Sequence, residues 1–183
     1  MPRVTPSRTP DTATPRHTEA ADAPDAISLL KRDHQAVKHI FELFQKTAKD
    51  DLDARATFVR RACEELTIHA MIEEELLYPA AKEALDQDDR PDVEEAYIEH
   101  FLVKVLIEKF VTLKAGEPGF DATFKVLSEM VSHHIKEEES ELFPKLKQSG
   151  VDLAELGKKL QRRKDALNSR VPKDAGDNTM SLH

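Results

Sequence analysis

The sequence predicts an all-α protein: an up-down-up-down four-helix bundle built from two helix-pair repeats, with an extra C-terminal helix. Three observations predict it. Gly is scarce (5 of 183 residues) and Trp is absent, while Leu, Ala, Glu and Lys dominate, a composition that favours helix. Apolar residues recur at three- and four-residue spacing along five segments. The chain also contains one stretch twice. His69-Ala-Met-Ile-Glu73 and His134-Ile-Lys-Glu-Glu138 each place a Glu four residues after a His, and Tyr78-Pro79 and Phe143-Pro144 close them. A lone His preceded by an acid lies upstream of each copy, as Asp33-His34 and Glu99-His100. Residues 27–80 and 93–145 therefore read as one helical pair and its repeat.

Residues 1–24, with five prolines and little apolar content, read as a disordered tail in which His17 is solvated. The bundle takes residues 25–148. Its first helix is expected from Asp25, an N-cap, to about Ala48. Ile27, Leu30, His34, Val37, Phe41 and Phe44 share one face there, whereas His39 lies about 140° from His34 and is left out of any site. Asp50 to Asp53 turns the chain, with Asp53 the expected cap of a second helix. Phe58, Ala62, Leu66, His69, Glu73, Leu76 and Leu77 lie on one side of it. Cys63 falls about 120° off that face and reads as a small apolar filler. Glu74 and Glu75 read as outward, solvated charges. Pro79 should kink the helix rather than end it, because residues 80–85 still favour helix.

A third helix is expected from Asp92 to Lys114, with Val93, Tyr97, His100, Val103 or Lys104, Ile107 and Val111 on its stripe, and Gly116-Glu117-Pro118-Gly119 after it. Tyr97 reads either as core packing or as a donor near His100. Lys104, one turn after His100, reads either as a charge inside the site or as a side chain snorkelling to solvent. The fourth helix, Phe120 to Leu146, carries Phe124, Leu127, Val131, His134, Glu138 and Leu142. His134 and Glu138 are chosen over His133 and Glu137 because only they keep the ten-residue distance to the proline. A fifth amphipathic helix occupies residues 151–169, and its basic residues read as a solvated face. Residues 170–183 form a flexible tail.

Four helices each aim one imidazole inward, and two of them add a Glu one turn later. A buried carboxylate costs several kcal/mol unless it is paired, and a cation supplies the pairing. His34, His69, Glu73, His100, His134 and Glu138 are the candidate metal residues. One ion would be over-supplied by this set. Two ions fit, with two His on each and both carboxylates between them, as helix bundles build dinuclear sites. Imidazole with carboxylate suits Fe, Mn or Zn, and the lack of thiolates argues against soft-metal sites. With an oxo or hydroxo bridge, two coordination positions remain for a small ligand.

The order His…HisxxxGlu…His…HisxxxGlu, with its Asp-His opening and Glu-Glu-x-x-Leu-Tyr/Phe-Pro ending, resembles the hemerythrin-like (HHE) cation-binding domain over residues 27–147. The resemblance implies an up-down four-helix bundle holding a non-haem di-iron centre on those six residues. Oxygen-carrying hemerythrins have a His where this chain has Lys104, and an Asp at longer spacing where it has Glu138. The chain is more similar to members that react with peroxide or nitric oxide, or that sense iron and oxygen. Two functions follow as expectations. One is a catalase- or peroxidase-like enzyme of oxidative or nitrosative stress. The other is a module that binds or senses oxygen or nitric oxide, or handles iron, without turnover.

Net charge is −8, against nucleic-acid binding, since phosphate affinity comes from concentrated Lys and Arg. No apolar run of about 18 residues appears, so no membrane span is expected. The single cysteine permits a reducing compartment, and a cytoplasmic location is expected.

Overall fold

The structure is a computed structural model and describes residues 24–170. The two tails expected from the sequence lie outside the described residues, apart from residues 24 and 170. Helix α1 (Ala26–Lys46) starts at Asp25, whose carboxylate accepts the Ser28 amide as the spacing predicts. Helix α2 (Leu52–Ile72) is capped by Asp51, which accepts the Ala54 amide. The expected cap, Asp53, sits in the first turn instead, where a negative charge faces the positive end of the helix dipole.

The rod that α2 begins does not stop at the Tyr-Pro pair. It passes through a π-helical turn, Glu73–Leu77, into α3 (Tyr78–Ala84). The second copy repeats this: α5 (Phe120–Glu137) runs through a π turn, Glu138–Leu142, into α6 (Phe143–Gln148). The Tyr78 amide donates five residues back to Glu73, and Phe143 does the same to Glu138. Pro79 and Pro144 then follow without a donor to satisfy. π turns of this kind concentrate at functional sites, and each of these begins at a Glu of the repeated motif.

Between the rods, a 3-10 turn (Gln87–Asp89) leads into α4 (Arg90–Lys109). Helix α4 ends five residues earlier than expected. Phe110 caps it, and the chain turns through Gly116 and Gly119, both at positive φ. Helix α7 (Leu153–Asn168), capped by Asp152, lies against α1, α2 and the first π turn. No helix among the described residues is long and apolar enough to cross a membrane.

Helix α1 packs along α2, and α4 along α5. The interior is two apolar clusters. One gathers Leu29, Leu30, Ile72, Leu77, Phe143, Leu146 and Leu160. The other gathers Phe41, Phe44, Ala62, Leu66, Phe124, Leu127 and Val131. Burying each large side chain contributes about 1.5–3 kcal/mol, so both clusters hold the rods firmly. At the far end, buried Arg55 ties three segments together. It lies over the Phe44 ring, donates to the Thr47 carbonyl and pairs with Asp121 at 2.8 Å. Between the two clusters lies a layer of polar side chains.

Candidate metal centre

That layer contains His34, His69, Glu73, His100, His134 and Glu138, all six buried. In each rod, His and Glu sit one helical turn apart and share a face. Their placement follows from the apolar stripes, because each His replaces one apolar position between the two clusters. The Nε2 atoms of His34 and His69 are 3.1 Å apart, and so are those of His100 and His134. Glu73 Oε2 lies 3.2 Å from His69 Nε2 and 3.4 Å from His100 Nε2. Glu138 Oε2 lies 3.2 Å from His34 Nε2 and 3.6 Å from His134 Nε2. Each carboxylate thus reaches imidazoles of both helix pairs. The donor atoms fall into two overlapping groups able to hold a metal ion, His34/His69/Glu73/Glu138 and Glu73/His100/His134, with Glu73 common to both.

The donor set fits cations. Both Glu73 oxygens and Glu138 Oε2 are buried without a hydrogen-bond partner, a costly state for a carboxylate that no positive charge offsets. The same carboxylates act on the imidazoles. Burial opposes a charge on His69, but the carboxylates of Glu73 and Asp33 push its pKa up to about 10. Burial likewise opposes a charge on His134, which Glu138 and Glu99 push up to about 9. Burial works to raise Glu138, and the charge of His134 with the His34 contact holds it far below the usual carboxylate range.

The outward nitrogens are also held. His34 Nδ1 meets Glu139 at 2.9 Å, His100 Nδ1 meets Glu74 at 3.0 Å and His134 Nδ1 meets Glu99 at 2.7 Å. His69 Nδ1 faces Asp33 at 3.6 Å. A carboxylate on Nδ1 fixes the tautomer that leaves Nε2 free for a cation, and it raises the basicity of the ring. Sequence reasoning noted the acids before His34 and His100 without giving them this use. It misplaced Glu74, which is half-buried rather than solvated. The signal was the Glu-Glu doublet of both copies: the first Glu points into the layer and the second reaches the lone His of the other pair.

Tyr78 was missed as well. Its hydroxyl donates to Glu138 Oε1 at 2.9 Å and lies 3.2 Å from His100 Nε2. Burial, followed by the nearby carboxylates, pushes its pKa well above the ordinary value, so it stays a donor. Its counterpart, Phe143, stacks on His34. Tyr97 takes the packing role of its two expected readings: it lies edge-on against Tyr78 and donates to the Glu74 carbonyl at 3.3 Å. Lys104 turns outward and pairs with Glu74 at 2.5 Å, because that carboxylate gives its ammonium a partner without desolvation. His39 is exposed, and His133 is exposed and pairs with Glu137. Cys63 is half-buried against the cluster that holds Phe41 and Phe124, and burial pushes its thiol up to about 12.

A cavity of about 20 Å³ abuts the four imidazoles, walled on its other side by Val37, Leu66, Val103, Val131 and Ile135. It has room for about one water-sized molecule.

The sequence profile described as Hemerythrin HHE cation binding domain matches residues 25–146. The chain belongs to this hemerythrin family. The crystal structure of an HHE cation-binding domain protein from Mycobacterium kansasii shares the fold, with a TM-score of 0.68 and 23% identity over 80% of this chain and 88% of that one. An uncharacterised hemerythrin-like protein of Schizosaccharomyces pombe is 27% identical over 62% of this chain and 55% of its own length. A Nostoc protein named DNA nickase is 29% identical over 63% of this chain and 31% of its own. The hemerythrin-like chain therefore spans about a third and about half of these two relatives.

Proposed function

We propose that this hemerythrin-like protein holds two iron ions in the six-residue layer and decomposes hydrogen peroxide in oxidative or nitrosative stress. The observation that carries the reading is the pairing of shared carboxylates with a cavity of about 20 Å³ on the imidazole side. His34 and His69 would hold one ion, and His100 and His134 the other, with Glu73 and Glu138 between them. When bound, the iron pair supplies the electron steps of the balanced reaction 2 H₂O₂ → 2 H₂O + O₂, which needs no outside reductant.

The chain's own residues do the rest. Glu74, Glu99 and Glu139 would keep protons on the Nδ1 atoms of His100, His134 and His34, and Asp33 faces His69 Nδ1 from 3.6 Å. Tyr78 engages Glu138 Oε1, leaving Oε2 for a cation. Val37, Leu66, Val103, Val131 and Ile135 give the cavity an apolar side that would suit a diatomic-sized ligand. The same cavity favours a second reading, in which oxygen or nitric oxide binds there and is sensed without turnover. Neither reading needs nucleic acid or a membrane, and the lone cysteine fits a reducing compartment such as the cytoplasm. Iron per chain, followed by oxygen release on peroxide addition, tests both. About two irons with sustained oxygen release supports the enzyme, whereas a single stoichiometric spectral change supports the binding module.

A further inference from the structure

The four carboxylates behind the imidazoles are not equivalent. Those of Glu74, Glu99 and Glu139 lie within 3.0 Å of their rings. Asp33 stands 3.6 Å from His69, and both facing atoms, Asp33 Oδ2 and His69 Nδ1, are buried without a hydrogen-bond partner. The difference traces to α7, which begins beyond the matched residues 25–146. Lys164 of α7 pairs with Asp33 Oδ1 at 2.5 Å, and both side chains are largely buried. Lysines also pair with Glu74 and Glu139, but a Glu side chain is one methylene longer and reaches lysine and imidazole together. Asp33 meets Lys164 through Oδ1 and leaves Oδ2 3.6 Å from His69 Nδ1. No lysine pairs with Glu99, the counterpart of Asp33, among the described residues.

Helix α7 is fixed where this matters. Arg163 makes two bonds to Glu75 in the first π turn, at 2.6 and 2.8 Å. Gly157 presses on the start of α1 so closely that a Cβ would collide with the Pro24 carbonyl.

We propose that α7 tunes the metal centre: Lys164 draws Asp33 away from His69 and keeps the His34/His69 half a weaker cation holder than the His100/His134 half. This rests on the metal reading of the layer. Losing an outer carboxylate contact costs about 10–100-fold in metal affinity, so the two halves should differ by about that factor.

The test uses the full chain freed of metal and titrated with Co(II), with the imidazole Nδ1 protons followed by NMR. In the wild type, two Co(II) ions should bind with separated affinities. Metal-free protein should show a protected, downfield Nδ1 proton for His134 and not for His69. Lys164→Met frees Asp33, and Asp33→Glu lengthens it. Each should bring up the His69 proton and tighten the weaker ion about tenfold, leaving the stronger one unchanged. Arg163→Gln, which spares Lys164, is the control for loosening α7 and should do neither. If Lys164→Met and Asp33→Glu leave both the His69 proton and the two affinities as in the wild type, the tuning role is refuted while the site stands. If the wild type takes up no Co(II), the metal reading itself fails, and the tuning role with it.

Discussion

Replacing Tyr78 by Phe removes one oxygen from the middle of the polar layer and nothing else. The change is sterically tolerable because Phe143 already occupies the equivalent position of the second repeat. What is lost is the 2.9 Å bond to Glu138 Oε1 and the contact at 3.2 Å with His100 Nε2. Glu138 is buried and its other oxygen has no hydrogen-bond partner, so water cannot replace the hydroxyl without opening the layer. A hydrogen bond to a charged group contributes about 1.5–3 kcal/mol. We expect Tyr78→Phe to lower the stability of metal-free protein by about 2 kcal/mol, a fall in Tm of about 4–8 °C for a chain of this size. Urea denaturation of metal-free protein near pH 7 reads this as a lower midpoint at unchanged slope. A midpoint within error of the wild type would show that Tyr78 does not hold Glu138, and its place in the site would have to be withdrawn.

His69→Ala should remove most bound metal and lower Tm in iron-grown protein; normal metal content by elemental analysis would remove His69 from the set. His39→Ala and His133→Ala, both at exposed positions, should keep wild-type metal content, and an emptied site in either would mean that the helix register is wrong. Glu74→Gln should weaken metal binding about tenfold by taking the carboxylate from His100, read by chelator competition. Metal uptake should also be pH-linked. His69 and His134 are held up to about 10 and about 9 in the metal-free protein, so an ion must expel their protons near pH 7. Calorimetry in two buffers of different ionisation heat should detect the release, and equal heats would contradict it. The same shifts fix the sign for stability. Both imidazoles are raised above the unfolded value of about 6.5, so their contribution is full below that pH and is lost as pH rises toward 9–10. Glu138 is depressed, and its contribution is lost in acid. Metal-free protein should therefore melt highest in mildly acidic buffer, and the Tm gain on metal addition should grow with pH.

The rods were legible because their stripes are strongly periodic, and the six inward residues because the second copy checks the first. A single His-xxx-Glu has an ordinary explanation as a satisfied core pair; two in register, each with a lone His upstream, leave few arrangements that bring them together. Boundaries were less legible. Asp51 and Asp53 are equally good caps by residue type, and only the backbone around Leu52 decides between them. The run after Lys109 keeps apolar character, yet the chain leaves the helix in turns from Phe110, ahead of the two glycines at positive φ. The π turns left no mark on a 3.6-residue pattern, because one widened turn shifts the register by a single residue and the proline restores a helix at once. Glu74 was misread for that reason. A regular helix would put it outside, and the widened turn that begins at Glu73 sets it against His100.

The repeat explains the site, and the departures from the repeat explain what is particular to this chain. Duplication alone would give two equivalent halves, each with two imidazoles, one shared carboxylate and one aromatic. Two substitutions and one contact from outside the repeat break the equivalence. Tyr78 puts a hydroxyl beside His100 and Glu138, where Phe143 offers His34 only a ring. Asp33 stands where the second copy has the longer Glu99. Lys164 then pairs with that Asp from a helix outside the repeat. All three bias the layer in the same direction: the His100/His134 half has the extra donor and the firmer outer carboxylate, and the His34/His69 half has the looser imidazole. Two ions held in such a layer would differ in how tightly each is bound and in how readily a small ligand displaces solvent from it.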